Sequence, residues 1–346
     1  MAVWAALSPA VIGGAVLIAL AIDRCCGEPP AWLHPVVGMG RFLAAAGRWA
    51  APPAVAEDRS AAARALATMQ ATTGRSSLGP LLRGVLAWLM GAIVVVAMAG
   101  ALQALARDWP AWVQAAWLGL WLKPLFAWRL LRDEVTAVEA ALAQSLDAGR
   151  AQVARLVSRD VDSLDEGAVR EAALSTLAEN LNDSVVAPLL WFAVLGLPGA
   201  ALYRFANTAD AMWGYLGARH GRDWTWAGRW AARADDVLSW LPARLTALLL
   251  APAWWWGMRW SRLCTESART PSPNGGWPMA ALALTLGVCL RKRGVYALNP
   301  SGRPPLPADT PLAIRRCAAV VAVLAAAAAA VVLVAGPTSA ISGGQA

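Results

Sequence analysis

The chain has 346 residues, 58% of them hydrophobic and only 15% charged, with a mean hydropathy of +0.47, which excludes an ordinary water-soluble enzyme of this length and points to a membrane protein. Its net charge of +8 suits anionic lipid heads and anionic substrates such as nucleotides and phosphorylated small molecules. No basic run is interleaved with exposed aromatics, so nucleic acid is not expected as a partner.

Twenty tryptophans suit the bilayer interface, where the ring is buried and its N–H stays wet. The five cysteines, Cys25, Cys26, Cys264, Cys289 and Cys317, show neither CxxC nor Cys/His ligand spacing and read as small apolar residues.

Crossing a bilayer core as a helix takes about 20 mostly apolar residues. Four windows qualify: Ser8 to Ile22, Gly84 to Ala106, Ala111 to Leu131 despite Lys123 and Arg129, and Cys317 to Ala335. The first has no basic n-region or clean small-residue cleavage site, so it is expected to be a retained helix rather than a signal peptide. Three further stretches are interrupted or short. Val185 to Tyr203 is broken by Leu197-Pro198-Gly199, Leu241 to Met258 contains Pro242, Arg244 and Pro252, and Met279 to Leu290 is too short. These are expected to be re-entrant or interfacial pieces, tolerated where protein covers the broken backbone. The fold class read from this pattern is all-α: a polytopic integral membrane protein with broken or re-entrant helices, forming a single membrane domain over residues 1–346.

Arginines crowd the segments between these stretches, whereas Met1 to Ser8 and the tail after Arg316 carry no Lys or Arg. The positive-inside rule then places both termini outside, in a multi-pass protein of the cell inner membrane. Helical loops at about 23–83, 132–184, 204–240, 259–278 and 291–316 face the cytoplasm. Two stretches read as linkers, Ala51 to Ala56 and the proline-rich Asn299 to Pro311.

From Arg132 onward, DEVTAVEAALAQSLDAGRAQVARLV repeats apolar residues at three and four, with Gly149 expected to separate two helices of a hairpin. The next helix carries AENLNDSVVAP. At 100° per residue, Glu179, Asp183 and Asn180 fall at 0°, 40° and 100°, on one face. That face leads into Val185 to Phe192, where an unpaired carboxylate would be costly. Asn207 and Asp210 in FANTADAMWGY are neighbours on a helix, and Asp235-Asp236 in RWAARADDVLSWLPARL precede another apolar block. Each set alone is explained as readily by a solvated face, a helix cap or pairing with Arg229, Arg233 or Arg244. Three such sets beside membrane segments instead match the needs of a hard cation such as Mg2+, which takes a few carboxylate or amide oxygens together with substrate phosphates.

The N-terminal loop IDRCCGEPPAWLHPVVGMG adds Asp23, Glu28 and His34. His34 is one of two histidines in the chain; the other, His220, reads as structural or exposed. No GxSxG, P-loop or GxGxxG motif is present, so any nucleotide site is unconventional.

Four blocks in order carry a resemblance: LIALAIDRCCGEPPAWLHPVVGMG, RDVDSLDEGAVREAALSTLAENLNDSVVAPLLWFAVLGLPGAALYRFANTADAMWGY, ARADDVLSWLPARLTALLL and PNGGWPMAALALTLGV. From about Leu17 to Tyr296 the chain resembles the adenosylcobinamide-phosphate synthase family, membrane enzymes of cobalamin biosynthesis. The resemblance implies ATP-dependent amide ligation, in which aminopropanol phosphate, or aminopropanol itself, is joined to a propionate carboxylate of adenosylcobyric acid. ATP and Mg2+ are the implied cofactors. The corrinoid, the amino-alcohol phosphate, the lipid bilayer and other cobalamin-biosynthesis proteins are the implied partners. The chain departs from the family at Gly27-Glu28-Pro29, which keeps the carboxylate of the usual Gly-Asp-Pro, at Trp226-Ala227-Gly228 in place of a Phe-Gly turn, and after Asn299, where a Gly-Asp-Gly is missing.

For such chemistry Glu179, Asp183, Asp210, Asp235 and Asp236 are candidate metal ligands and Arg159 and Arg244 candidate phosphate binders. Asn180 and Asn207 would orient oxygens, and Glu179 or His34 would take the proton of the attacking ammonium. Two other readings stand beside this one. An intramembrane Mg-dependent prenyltransferase would also use Asn/Asp sets, but at NxxxD or DxxxD spacing rather than ExxxD and NxxD. A non-catalytic corrinoid-handling membrane protein would leave the carboxylates unexplained.

Overall fold

The computed structural model describes residues 7–54, 75–158, 160–251 and 260–335. Helix α1, Pro9–Cys26, starts where the Ser8 hydroxyl accepts from the Val11 amide (3.3 Å) and a proline fills the first turn. It stops at Gly27, whose φ of +73° suits a residue without a Cβ. Helix α2 follows at Pro35–Ala50 and α3 at Arg75–Leu105. The face of α3 carrying Leu82, Leu86, Leu89 and Ile93 is exposed and apolar, as a lipid-facing surface must be. Helix α4 is Ala111–Leu122, and the C-terminal α12 is Asp309–Ala335. Both pack on α1. The approach is close because the contact residues are small: a Cβ at Gly13 would stand 2.6 Å from the Ala328 carbonyl, and one at Gly119 would stand 2.8 Å from that of Ala15.

Among the described residues, four helical stretches are long and apolar enough to cross a membrane: Pro9–Cys26, Ser77–Leu105, Glu166–Trp213 and Asp309–Ala335. Three match expected spans. Ala111 to Leu131 does not, because α4 ends at Leu122 and passes through a 3-10 turn, Lys123–Leu125, and α5 (Trp128–Leu142) begins only after a break at Phe126 and Ala127. Pro124 interrupts the α ladder there, and Lys123 turns inward to meet carboxylates.

Gly149 does not separate two helices. The break falls at Ala143 to Ser145, and Ser145 caps α6, Leu146–Val153, through the Ala148 amide (3.1 Å). Gly149 lies inside α6, where a side chain would strike Leu142. Its role is close packing of α6 on α5.

Helix α7, Glu166–Leu181, runs into a π turn, Asn182–Val186, and then α8, Ala187–Trp213. This stretch is not a straight rod. Gly196 has φ 69° and ψ −159°, and Pro198 follows it. The Tyr203 hydroxyl reaches the Asp183 carboxylate 20 residues back (3.3 Å), whereas 20 residues of straight α-helix span about 30 Å. The chain therefore folds back at Gly196, as the Leu197-Pro198-Gly199 interruption predicts. The Gln103 side chain of α3 seals the bend by accepting from the Leu197 amide (2.9 Å).

A short hairpin, β1 (Ala218–Arg219) and β2 (Arg222–Asp223), leads to α9, Arg229–Leu250, which continues through Pro242. Helices α10 (Trp260–Ser267) and α11 (Gly276–Leu286) precede a second hairpin, β3 (Leu290–Lys292) and β4 (Tyr296–Leu298). Neither expected linker is free where it is described. The Ala54 amide bonds the Gly221 carbonyl (2.9 Å). Asn299 is buried and its amide bonds Glu266 (2.7 Å), while Arg303 grips Asp309. Cys289 and Cys317 are buried like small apolar residues, but Cys25 and Cys26 are exposed at the end of α1.

Candidate active site

The fold-back brings the polar residues of α7, the π turn, α8 and α9 together. The π turn adds a residue to one helical turn, so that the Ala187 amide bonds the Asn182 carbonyl five residues back. Asp183 stays beside Glu179, in whose field it lies, as the 100° count expects. Asp183 also meets Tyr203 of α8, while Ser184 meets Arg204 of the same helix. Buried Asn182 donates to the Asp183 Oδ1 (2.7 Å) and accepts from Thr246 of α9 (3.1 Å). Tyr203 donates to the same Oδ1 and meets Ser239 (3.1 Å). Ser184 donates to Asn180 (3.3 Å), whose own amide donates to the Thr176 carbonyl (3.2 Å).

Asn207 is not a helix cap, since it sits in mid-helix. It links the sets by accepting from Arg204 (3.5 Å), donating to Asp235 (3.4 Å) and standing within hydrogen-bond reach of Asp183. Asp210 lies in the fields of Asp183 and Asp236. Burial pushes Asp235 well above the usual carboxylate range, and the Asp183 and Asp210 charges push it further; burial also raises Asp236. Among the described residues no Lys or Arg pairs with any of these four carboxylates, so Arg229, Arg233 and Arg244 do not explain them. No three His, Cys, Asp or Glu side chains among the described residues converge as a resident metal site would. The set instead suits a cation that arrives with its own phosphate oxygens.

Glu179 is exposed and borders the loop before α11, since its carboxylate would lie 3.0 Å from a Cβ at Gly275. Arg244 does not face the carboxylates. It is stacked between Trp240 and Trp277 and bonds Asn274 (3.0 Å) and the Trp240 carbonyl (2.7 Å), clamping that same loop. Arg159 lies outside the described residues.

His34 belongs to a second cluster. It caps α2 through Nδ1, which accepts from the Val36 amide (3.3 Å), and its Nε2 meets Glu28 (3.2 Å). Lys123, 2% exposed, is held between Asp23 (3.1 Å) and Glu28 (2.9 Å). Burial raises the Glu28 carboxyl, but the bonds from His34 and Lys123 outweigh it and hold the group below its usual value. His220 sits at the tip of the β1–β2 turn, with φ 50°.

The residues not foreseen here are Asn182, Tyr203, Arg204, Ser239, Thr246 and Lys123. Lys123 carried a usable signal, because a lysine in an apolar run is costly unless it is paired.

The family model described as CobD/Cbib protein matches residues 16–335. The chain is 39% identical to the cobalamin biosynthesis protein CobD of Chromobacterium violaceum over 84% of each chain. It is 37% identical to that of Rhodobacter capsulatus, over 85% of this chain and 89% of the relative. It is 35% identical to the probable cobalamin biosynthesis protein CobD of Methanothermobacter thermautotrophicus, over 82% and 86%. No solved structure matches the chain. With one family model spanning nearly the whole chain and its relatives aligned across most of their own length, the chain belongs to the CobD/Cbib family of cobalamin biosynthesis.

Proposed function

We propose that the chain is an ATP-dependent, amide-forming ligase that joins the amine of aminopropanol phosphate, or aminopropanol, to a propionate carboxylate of adenosylcobyric acid, giving adenosylcobinamide phosphate or adenosylcobinamide. The observation that carries this reading is the gathering of Asp183, Asp210, Asp235 and Asp236 in one another's fields with no Lys or Arg among the described residues in ion-pair contact, Arg204 reaching Asp183 through its field alone. Four such groups would repel one another at neutral pH unless an external cation lay among them. The donor set is oxygen only, the preference of Mg2+. One or two of Asp183, Asp210 and Asp235 would meet that ion directly and the others through its waters, with Asp236 behind them. When bound with ATP it would offset phosphate charge as the substrate carboxylate is activated.

The protein's own part is positioning and proton transfer. Asn182, Tyr203 and Asn207 fix Asp183 and Asp235 by hydrogen bonds from three different turns. Glu179 is the better placed of the two candidate bases: it opens to solvent beside this cluster, whereas both ring nitrogens of His34 are engaged at the start of α2. The broken helices suit a reaction at the membrane surface, because irregular backbone at membrane depth is stable only where protein or water satisfies it.

The test is incubation of purified protein with adenosylcobyric acid, ATP and Mg2+ and either amine, read by mass spectrometry of corrinoid and nucleotide products. An amide product that needs both ATP and Mg2+ is expected. Absence of coupling with either amine, from protein that is folded and loaded with lipid, would overturn the reading.

A further inference from the structure

A cavity of about 310 Å³ opens on the other side of the π turn from Asp183. Its polar lining is Thr176, Asn180, Ser184, Glu134, Arg155 and Arg204. Two of the charges are matched to each other, since Arg155 and Glu134 pair at 2.9 Å. Arg204 is not matched. Its Nη1 makes only long bonds to neutral oxygens, 3.3 Å to Ser184 and 3.5 Å to Asn207. Its Nε is sealed from solvent without a hydrogen-bond partner.

That is unlike the chain's other inward cations. Lys123 holds two carboxylates, and Arg170 grips Glu139 with two nitrogens. A guanidinium kept half-buried, with one donor orphaned and no carboxylate in hydrogen-bond contact, is a cost that the field of Asp183 offsets only in part. Its planar fork matches a phosphate, and the Ser184, Thr176 and Asn180 side chains around it are neutral hydrogen-bonding groups. The volume stands at the low end of the roughly 300–1,000 Å³ typical of small-molecule sites, far too little for a corrinoid.

We propose that this cavity binds the phosphate of a small phosphomonoester, with Arg204 as its anchor. Resting on the ligase reading above, the ligand is the phosphorylated amine rather than the nucleotide or the free amino alcohol. The site and the carboxylates then lie on opposite sides of one π turn, Ser184 facing the phosphate and Asp183 facing the cation side. The amine would thus enter from the Arg204 side.

The experiment is calorimetric titration of the purified protein in detergent with aminopropanol phosphate, inorganic phosphate, aminopropanol and ATP in turn, for wild type and Arg204→Gln. The variant is expected to bind both aminopropanol phosphate and inorganic phosphate roughly ten- to a hundredfold more weakly, the loss given by one charge-assisted pair. ATP binding should be unchanged, and the melting temperature equal or higher because an unmatched charge is gone. Unchanged phosphomonoester binding, or a loss confined to ATP, overturns the proposal. Should Arg204→Gln fail to fold, modification of wild-type Arg204 by phenylglyoxal decides: protection by aminopropanol phosphate upholds the site, and equal modification with and without it overturns it. Binding through Arg204 without amide formation would sink the ligase reading and leave the site standing. Amide formation with an unchanged KM for the phosphorylated amine in Arg204→Gln would do the reverse.

Discussion

Lys123→Met is predicted to destabilise the protein severely while leaving its apolar packing almost intact. The Lys123 side chain is 3% exposed; its ammonium donates to Glu28 and the Phe126 carbonyl and pairs with Asp23 at 3.1 Å. Methionine fills the same space but leaves the Asp23 carboxylate, 2% exposed, with only the Arg129 amide as donor (2.9 Å). Removing one partner of a buried pair costs about 3–5 kcal/mol, and Glu28 loses less because His34 stays beside it. Asp23→Asn in the same background removes the stranded charge and should restore part of the loss, a coupling that the double-mutant cycle isolates. Thermal unfolding of wild type, both single variants and the double variant in one detergent measures it. The pH dependence has a definite sign. Glu28 is held below its usual value, so its contribution is present at neutral pH and disappears as pH falls into the acid range. Lys123→Met should flatten that acid limb. A single variant within about 1 kcal/mol of wild type, or no rescue by Asp23→Asn, refutes the reasoning.

Asp183→Asn is predicted to fold normally yet lose ligase turnover by at least about a hundredfold, since one fixed oxygen charge near the reacting phosphates is gone; normal turnover by folded protein removes Asp183 from the site. In metal-free protein Asp235 is most stable protonated, so stability should fall as pH rises through its raised value, and Mg2+ or Asp235→Asn should remove that fall. Melting curves that are equally pH-dependent with and without Mg2+ would show that no cation enters the cluster. Reporter fusions after Gln345 are expected to be active outside the cytoplasm, as the arginine distribution requires; fusions active only inside would reverse the topology.

The parts of the fold and site that were legible in the sequence are those signalled locally. Pro198 between Leu197 and Gly199 in an apolar run marks the bend, because such residues break a helix whatever surrounds them. The carboxylates of AENLNDSVVAP, FANTADAMWGY and RADDVL stand out for the same reason: each is a charge where neighbours are apolar. What was not legible depends on distant partners. Lys123 looked like a blemish in a membrane span because Glu28 is 95 residues away, and a hydropathy average counts only what is adjacent. Arg204 carries no local signal because its place beside Ser184, 20 residues back, exists only in three dimensions. Gly149 was read as a break from its own propensity, while Ser145 capping and the Leu142 contact decided the matter. Arg244, next to an acidic pair in sequence, turned instead to two indoles and a loop on another helix.

The two irregular features of this helical chain do different work for the same site. The bend at Gly196 is a large displacement: it returns Tyr203 and Arg204 to the level of Asp183 and Ser184, which a continuous crossing would leave on the far side of the bilayer. The π turn is a small rotation. Consecutive helix residues point about 100° apart, and Asp183 keeps its place beside Glu179. Adding one residue opens that turn, so that Asp183 engages Tyr203 while Ser184, one residue on, engages Arg204. The Asp183 carboxylate and the Arg204 guanidinium, on neighbouring helical segments, lie in each other's field without ion-pair contact. Had they paired, both would be neutralised within the protein and neither would be available to a ligand. Chains tolerate such breaks of local regularity where function needs them. Here Asp183 and Ser184 meet different neighbours within a single turn, the arrangement the proposed ligase would need for a phosphate arriving with its cation and a phosphorylated amine approaching from another side.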